Sequence, residues 1–398
     1  LPINDEAIQI SGYDVADPTS PEKSFSIEID GYLQNSRKID NMLYLVTRYS
    51  PNIPTIHYYL NEKDAQENEE RIAALTLDDL LPKVRINGGD AQNLLRAQDC
   101  LLPLDLSDKH GYAALTTVIA IDLSAQDVTS AKCVNANVGG IYATPSSLYV
   151  GGSSYRSWND HSSFTTVHKF NLGENIAYRS TGIIPGWLGW QDPAFRMDEH
   201  NGYFRIMTTE RSNGILQDDP SSDAMQLVAQ LPNDEAPATI GKPGEELYAV
   251  RFVGDRAYAV TFERIDPLYV IDLSNPQAPS IAGELEVPGF STYLHPIGDS
   301  YLLGVGREAD DSGRANGVKI SLYDIRNIDA PSEINSLNYG AAGTWSSALY
   351  DLRALSFLQT SADQLRFTLP ISLRDSDWQW QEDALHLFEV NGLAAASA

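Results

Sequence analysis

The chain has 398 residues, 42% of them hydrophobic, and carries 54 Asp and Glu against 28 Lys and Arg, a formal net charge of −26. This balance argues against nucleic acid and anionic membrane surfaces as partners, because both require a basic protein surface. No run of about 18 apolar residues is present to cross a membrane, and two cysteines are too few for a disulfide framework or a four-ligand zinc site.

The chain begins with Leu1-Pro-Ile-Asn, without a Met or a visible signal peptide. We therefore expect a signal or anchor to have been removed from a longer, exported product. The expected location is secreted, periplasmic or membrane-anchored on the extracytoplasmic side.

A strand that stops at a turn of Asp or Asn, often followed by Pro, recurs along the chain. The copies are Gly12–Pro21, Val118–Ser124, Val167–Leu172, Tyr269–Pro279 and Leu322–Pro331. Their polar anchors are separated by one or two units of about 50 residues, a period typical of repeat architectures.

A second recurring strand is centred on an aromatic residue and follows a tight turn, often Asn-Gly or Gly-Asp, which is a hairpin signal. The clearest copies are Asp40–Val46, Ser146–Val150, Asn201–Ile206, Gly254–Val260 and Gly298–Leu303. With an inner strand before it and an outer strand at the end, each unit has four short strands. Such units, joined outer strand to next inner strand, predict a β-propeller.

The fold prediction is all-β: one seven-bladed β-propeller domain over residues 1–398, with six or eight blades as alternatives and the closure of the ring left open. The predicted blades are 1–30 (partial), 31–137, 138–186, 187–246, 247–290, 291–340 and 341–392. An insertion at 51–113 in the second blade is predicted to be partly helical, over Asn61–Arg71 and from a Thr76 cap to Leu81. Its role is left open.

Long connections join the second and third strands of several units, at 51–113, 151–164, 208–223, 306–317 and 370–384. Insertions that gather on one face of a repeat protein usually mark its binding face, although long acidic loops can also be solvated spacers. Acidic and aromatic side chains suit an unidentified protein, peptide or glycan partner. The candidate residues are Trp158, Asp160, Asp266, His295, Arg314, Asp375, Trp378 and Trp380, with His295 placed at the end of an inner strand near a central channel.

Asp310 and Asp311 are the candidate metal ligands, because their loop concentrates oxygen donors and glycines that could hold Ca²⁺. Their spacing does not match the twelve-residue calcium loop, so an acidic, turn-rich loop is the alternative interpretation. No other cofactor is expected.

The chain lacks the HExxH and Gly-Xaa-Ser-Xaa-Gly motifs, so no catalytic residue is assigned. An enzyme, either a hydrolase or a lyase with carboxylates at the mouth of the channel, remains the alternative to a binding module. Cys100 and Cys133 could form a disulfide that fixes the insertion to its own blade, which would imply an oxidising compartment, or both could be free.

Several stretches resemble a known family, that of predicted secreted bacterial and archaeal proteins with a C-terminal β-propeller domain. The resemblance rests on Ser163–Phe170, Phe195–Ile206, Val250–Phe262, Asp266–Pro276, Pro288–Pro296, Leu43–Tyr49 and Asp78–Pro82. It implies a distant relation to WD-type propellers and an exported or membrane-anchored parent. The family has no assigned activity, so we expect a monomeric binding or scaffold module at the cell envelope.

Overall fold

The computed structural model describes residues 7–51, 53, 56, 61–102, 114–136, 138–155, 163–189, 193–209, 213–242, 245–262, 266–309 and 316–393, with the backbone alone at 154, 155, 213 and 266. The chain divides into two compact units. The first unit is 1–152 with 167–181, and the second is 153–166 with 182–398.

The elements up to residue 185 are short strands and two helices. They are β1 (Ala7–Asp14), β2 (Glu22–Asp30), β3 (Tyr32–Ile39), β4 (Met42–Tyr49), α1 (Glu62–Ala73), α2 (Leu77–Leu80), β5 (Lys83–Ile86), β6 (Gln92–Asn93), β7 (Cys100–Leu101), β8 (Leu115–Asp122), β9 (Asp127–Val134), β10 (Gly140–Ala143), β11 (Ser147–Tyr155), β12 (Ser163–Asn171) and β13 (Ala177–Pro185).

The rest of the chain consists of strands joined by turns and short 3₁₀ segments. The strands are β14 (Met197–His200), β15 (Tyr203–Met207), β16 (Asn213–Asp218), β17 (Met225–Leu231), β18 (Glu246–Val253), β19 (Arg256–Phe262), β20 (Asp266–Asp272), β21 (Ser280–Val287), β22 (Phe290–Ile297), β23 (Tyr301–Arg307), β24 (Val318–Asp324), β25 (Ser332–Tyr339), β26 (Ser356–Ser361), β27 (Gln364–Arg374) and β28 (Trp380–Asn391).

Within the described ranges these strands form seven sheets. Their orders are β1-β2-β5-β6, β3-β4-β8-β9-β7, β10-β11-β12-β13, β14-β15-β16-β17, β18-β19-β20-β21, β22-β23-β24-β25 and β26-β27-β28. The predicted all-β class and the repeated four-stranded sheet are confirmed, as is the partly helical insertion. How the sheets close into a ring stays a prediction.

The recurring Asp ends its strand by the same hydrogen bond each time. Asp14, Asp122, Asp272 and Asp324 each accept the backbone N–H two residues later through Oδ1, at 2.7 to 3.0 Å. This local bond gives the backbone an alternative to the strand ladder, which is why the motif is a turn wherever it occurs.

The insertion contributes strands to both of the first two sheets. β5 pairs with β2, bringing Ile86 opposite Ile27, and β6 pairs with β5. β7 pairs in parallel with β9. From the sequence the whole insertion was predicted to belong to the second blade, because β5, β6 and β7 are too short to show a strand period. Buried Val84 packs in the same apolar cluster as Ile27 and Ile29, which explains why β5 extends this sheet.

The helices begin where capping residues predict. The Asn61 side chain accepts the N–H of Asp64 at 3.0 Å, and α1 follows directly. Asp79 accepts from both the backbone and the hydroxyl of Thr76 at the start of α2.

The cores of the second unit lie between consecutive sheets. Val305 and Ile320 contact Phe367 and Leu369 of the next sheet in one cluster. Equivalent clusters join β15–β16 to β19–β20 and β19–β20 to β23–β24. Leu358, Leu385 and Leu387 remain exposed on the last sheet. Central strands that are buried on both faces, such as β19 and β23, are nearly continuous apolar runs.

Candidate functional site

The crossovers between sheets lie beside the ends of the second strands of the second unit. The N–H of Thr209, just after β15, donates to the carbonyl of Trp187 in the preceding crossover at 2.8 Å. The N–H of Ala341 in a later crossover donates to Arg374 O at the end of β27 at 3.1 Å. We call this edge of the sheets the loop end, because the long connections after the second strands leave from it.

Most of the predicted site residues cannot be placed at the loop end. Trp158, Asp160 and Arg314 lie outside the described residues, as do the candidate calcium ligands Asp310 and Asp311. The backbone of Asp266 begins β20 opposite Val287, but its side chain is not described. Of the predicted residues at the loop end, those in the loop after β27 and at the start of β28 are described with their side chains: Asp375, Trp378 and Trp380.

Asp375 shapes that loop with its carboxylate. Its Oδ1 accepts the N–H of Asp377 at 2.9 Å and of Gln379 at 3.0 Å, and its Oδ2 accepts from Gln381 Nε2 at 2.6 Å. The backbone N–H of Trp378 also donates to the carbonyl oxygen of Asp375, at 3.1 Å. Since both oxygens hold the turn, Asp375 acts on the surface by positioning its neighbours.

Exposed tryptophans lie at the loop end of the last sheet. Trp378 is 63% exposed, Trp380 is 57% exposed and Trp345, in the crossover before β26, is 44% exposed. Trp345 exchanges backbone hydrogen bonds with Ser372 at 3.0 and 2.8 Å, which fixes the crossover beside β27. We call Trp345, Trp378 and Trp380 the tryptophan surface.

Three local features position Trp378 beside β27 and the crossover. Its backbone has a φ of 63°, and its carbonyl accepts from Arg374 Nη1 at 3.0 Å. A Cβ on Gly343 would lie 3.1 Å from Trp378 Cε3, so the absence of a side chain there lets the indole approach the crossover. The sequence analysis missed Trp345; the rule that crossovers and second-to-third-strand loops share one end could have found it.

His295 lies away from the loop end, in a group of side chains on the first strands of consecutive sheets and on the 3₁₀ segment that precedes β14. Its ring stacks on Phe357 of β26 with centroids 3.6 Å apart and planes 4° apart. The Tyr293 hydroxyl is 3.0 Å from His295 Nδ1, and the Tyr293 ring is 5.8 Å from Phe195. The Arg251 guanidinium lies 4.7 Å from the centre of the Phe195 ring. We call these five residues the inner-strand cluster.

The electrostatics of the cluster keep His295 neutral near pH 7. Burial, and secondarily the positive charge of Arg251, lower the pKa of His295 to about 4. Sequence reasoning found only His295, because the aromatic residues on inner strands look like core and Arg251 lies 44 positions earlier. The described part of the cluster contains a guanidinium and an imidazole and supplies no pair of carboxylates, so it assigns no catalytic residue.

The described residues offer no metal centre: among them no three His, Cys, Asp or Glu side chains group to hold an ion. A cavity of about 660 Å³ lies in the first unit between β1, β2 and the start of β3. Its carboxylate, Glu28, is paired with Arg85 at 2.8 Å, so no chemistry is assigned to it. In the described part of the chain no helix combines the length and apolarity that crossing a membrane requires.

Cys100 and Cys133 are joined by a disulfide, with their Cα atoms 4.4 Å apart. They lie opposite each other in the parallel pairing of β7 with β9, so the bond fastens the insertion to the second sheet. The Cys133 side chain is buried with Leu81 and Leu95 of the insertion.

Comparison with known proteins gives a family and relatives without an assigned activity. Residues 2–397 match the family model described as "Beta propeller domain". An uncharacterized protein of Methanocaldococcus jannaschii is 43% identical over 191 residues, which are 48% of this chain and 28% of that protein. An uncharacterized protein of Archaeoglobus fulgidus is 42% identical over 190 residues, 46% of this chain and 26% of that protein. Each match thus spans little more than a quarter of the relative's length.

Proposed function

This chain belongs to the beta-propeller domain family, and we propose that it is an exported binding or scaffold module at the cell envelope. Its protein, peptide or glycan partner is held at the loop end, with the tryptophan surface as the anchor. The observation that carries this proposal is the exposure of Trp345, Trp378 and Trp380 at one end of one sheet.

Exposed indoles favour binding because they bury a large area on contact while the ring N–H still finds a hydrogen-bond acceptor. Tryptophan is also among the residues that contribute most to binding energy at interfaces. Here the indoles are positioned by a turn built on Asp375 and by the crossover at Gly343, so a partner meets a surface that is already ordered.

The charge of the surface narrows the chemistry of the partner. Asp377, Glu382 and Asp383 are exposed beside the tryptophans, and the whole chain carries −26. Basic protein segments and neutral glycans suit such a surface, whereas polyanions are repelled. The disulfide supports export, because such bonds persist mainly in oxidising compartments.

The test measures retention of the purified chain on an envelope fraction. We expect Trp378→Ala and Trp380→Ala to weaken retention by about 30-fold each, because removal of a tryptophan that anchors an interface typically costs about 2 kcal/mol. Tyr13→Ala, which removes an exposed ring from the first unit, is the matched control and should bind as the wild type does.

Two further arms separate the kinds of partner. Retention that falls as salt is raised indicates a basic protein segment, and retention that is salt-independent but competed by free sugars indicates a glycan. Unchanged retention of both tryptophan variants, or no retention of the wild type, would contradict the proposal.

A further inference from the structure

Arg251, in the inner-strand cluster, is a cation without a counterion among the described residues. It makes no hydrogen bond or ion pair with any of them, and its Nε is buried without an acceptor. Its guanidinium lies over the ring of Phe195, 4.7 Å from the ring centre. The residue is half-buried. Because a guanidinium keeps its charge near neutral pH, even partial burial without an anion is unfavourable.

The sheet before it contains a buried arginine whose charge is compensated. Arg205 is 3% exposed, and its Nε donates to Asp198 at 2.9 Å while its Nη1 donates to the Gly254 carbonyl at 2.7 Å. Asp198 lies two residues before the end of β14, and Arg251 lies two residues before the end of β18. The same position of the repeat therefore holds a compensated charge in one sheet and an uncompensated charge in the next.

His295 supplies a second hydrogen-bond donor, at the equivalent position of the next sheet's first strand. It precedes the end of β22 by two residues, and β22 adjoins β18. The Tyr293 hydroxyl engages Nδ1, while Nε2 makes no hydrogen bond with a described residue. When the hydroxyl donates to Nδ1, the proton of the neutral imidazole lies on Nε2 and can be donated to a ligand.

We propose that the inner-strand cluster binds a small organic carboxylate. The guanidinium of Arg251 supplies the charge that pairs with the carboxylate, and His295 Nε2 supplies a neutral donor. A single guanidinium matches one negative charge, which favours a carboxylate over a phosphate dianion. Phe195, Tyr293 and Phe357 provide apolar walls for the organic part and lower the local dielectric, which strengthens the pairing. This site is separate from the tryptophan surface and does not depend on the function proposed for it.

The experiment titrates the 398-residue chain with benzoate and with benzamide, its neutral analogue of similar shape, by isothermal titration calorimetry. Benzoate should bind at least tenfold more tightly than benzamide, and Arg251→Gln should weaken benzoate binding at least tenfold. Arg366→Gln is the matched control, because it removes an exposed arginine paired with Glu389 elsewhere in the second unit, and it should leave binding unchanged.

Equal affinity for benzoate and benzamide would overturn the proposal, and so would equal benzoate affinity of the wild type and Arg251→Gln. Absence of benzoate binding up to about 10 mM would do the same. If Arg251→Gln does not keep the wild-type circular dichroism spectrum, a second measurement tests the site in the wild type. It follows the NMR signal of the His295 ring, assigned by comparison with His295→Gln, during titration with each compound. A shift with benzoate alone supports the site, and a shift with both compounds or with neither overturns it.

Discussion

Asp99 and Lys132, the residues immediately before the two half-cystines, form an ion pair of 2.6 Å across the β7–β9 pairing. The Asp99 side chain is 7% exposed and also accepts from Arg96 Nε at 2.8 Å. A covalent bond and a buried carboxylate thus lie side by side where the insertion meets the second sheet. Two independent interactions fix the same short strand, and each can be removed without the other.

Asp99→Asn should lower the free energy of unfolding by about 2–4 kcal/mol, because it leaves a partly buried lysine without its counterion. The hydrogen bond from Arg96 is the main cause that holds the pKa of Asp99 well below its usual range. The stabilisation is therefore present above the ordinary Asp value and is lost as pH falls through the lowered pKa. Urea unfolding measures it. Asp351→Asn, whose partner Arg353 is 92% exposed, is the control and should cost much less, because solvent screens an exposed ion pair. Equal losses would contradict the prediction.

Replacing both Cys100 and Cys133 by Ser should destabilise the first unit by about 3–4 kcal/mol, the chain-entropy value for a loop of this size. The two cysteines are separated by 33 residues. The same loss should follow when the wild type is unfolded with a reducing agent present. The Ser variant should not respond to the reductant, and an unchanged unfolding midpoint in the double variant would show that the disulfide contributes nothing.

His168 makes the stability of the first unit depend on pH. Its Nδ1 lies 2.7 Å from Thr181 Oγ1, and burial lowers the pKa of His168 to about 4. The unfolded chain binds this proton at about 6.5, so stability should be constant above that pH and fall as pH drops from about 6.5 to 4. The loss attributable to this residue is about 3 kcal/mol.

Unfolding of the wild type and His168→Gln at pH 7.5 and 4.5 measures this loss, and the variant should lose less stability between the two values. The lowered pKa of His295 acts in the same direction and should remain in the variant. Hydrogen bonds from Ser221 lower the pKa of Asp219 to about 2, so the stability that this carboxylate contributes is lost only at pH values below the two compared. A His168 NMR titration centred near 6.5 would contradict the buried, neutral ring.

Gly289→Ala should cost about 3 kcal/mol or more, since both its backbone and its surroundings reject a side chain. Its φ is 80°, and an added Cβ would lie 2.5 Å from the carbonyl oxygen of Arg307. Gly254→Ala is the control: its φ is 53°, but nothing lies within 4 Å of the added Cβ. That variant should cost about 1 kcal/mol, the conformational term alone. Thermal unfolding of both variants checks the difference, and equal midpoints would refute the role of the close contact.

The elements that could be predicted are those whose cause is local. Asp272 and Asp324 end their strands through a hydrogen bond to a backbone N–H two residues away, and Asn61 begins α1 in a similar way. Such bonds leave a residue signature at fixed spacing. The pairing of β5 with β2 left none, because a four-residue strand shows little period and its partner is chosen by the free edge and the burial of Val84.

The candidate sites divide in the same way. Trp378 and Trp380 could be chosen from the sequence because they lie in a long loop between two recognisable strands. Trp345 could also have been chosen, because its crossover shares the loop end with those loops. Arg251 could not, since its interest depends on the side chains that packing brings around it. His295 was selected for its position before Pro296, but its stacked, neutral state depends on Phe357 in the next sheet.

The amino-acid sequence alone determined the repeated four-stranded unit, the insertion and the acidic surface, because strand period, turn chemistry and net charge act over a few residues or over the whole composition. The tertiary structure decided which edge the insertion completes, that Cys100 meets Cys133, and that Arg251 faces Phe195 without a described counterion. These outcomes depend on contacts between residues far apart in the chain. Such contacts are decided by which apolar surfaces the folded strands bury together, and a local sequence pattern does not contain that information.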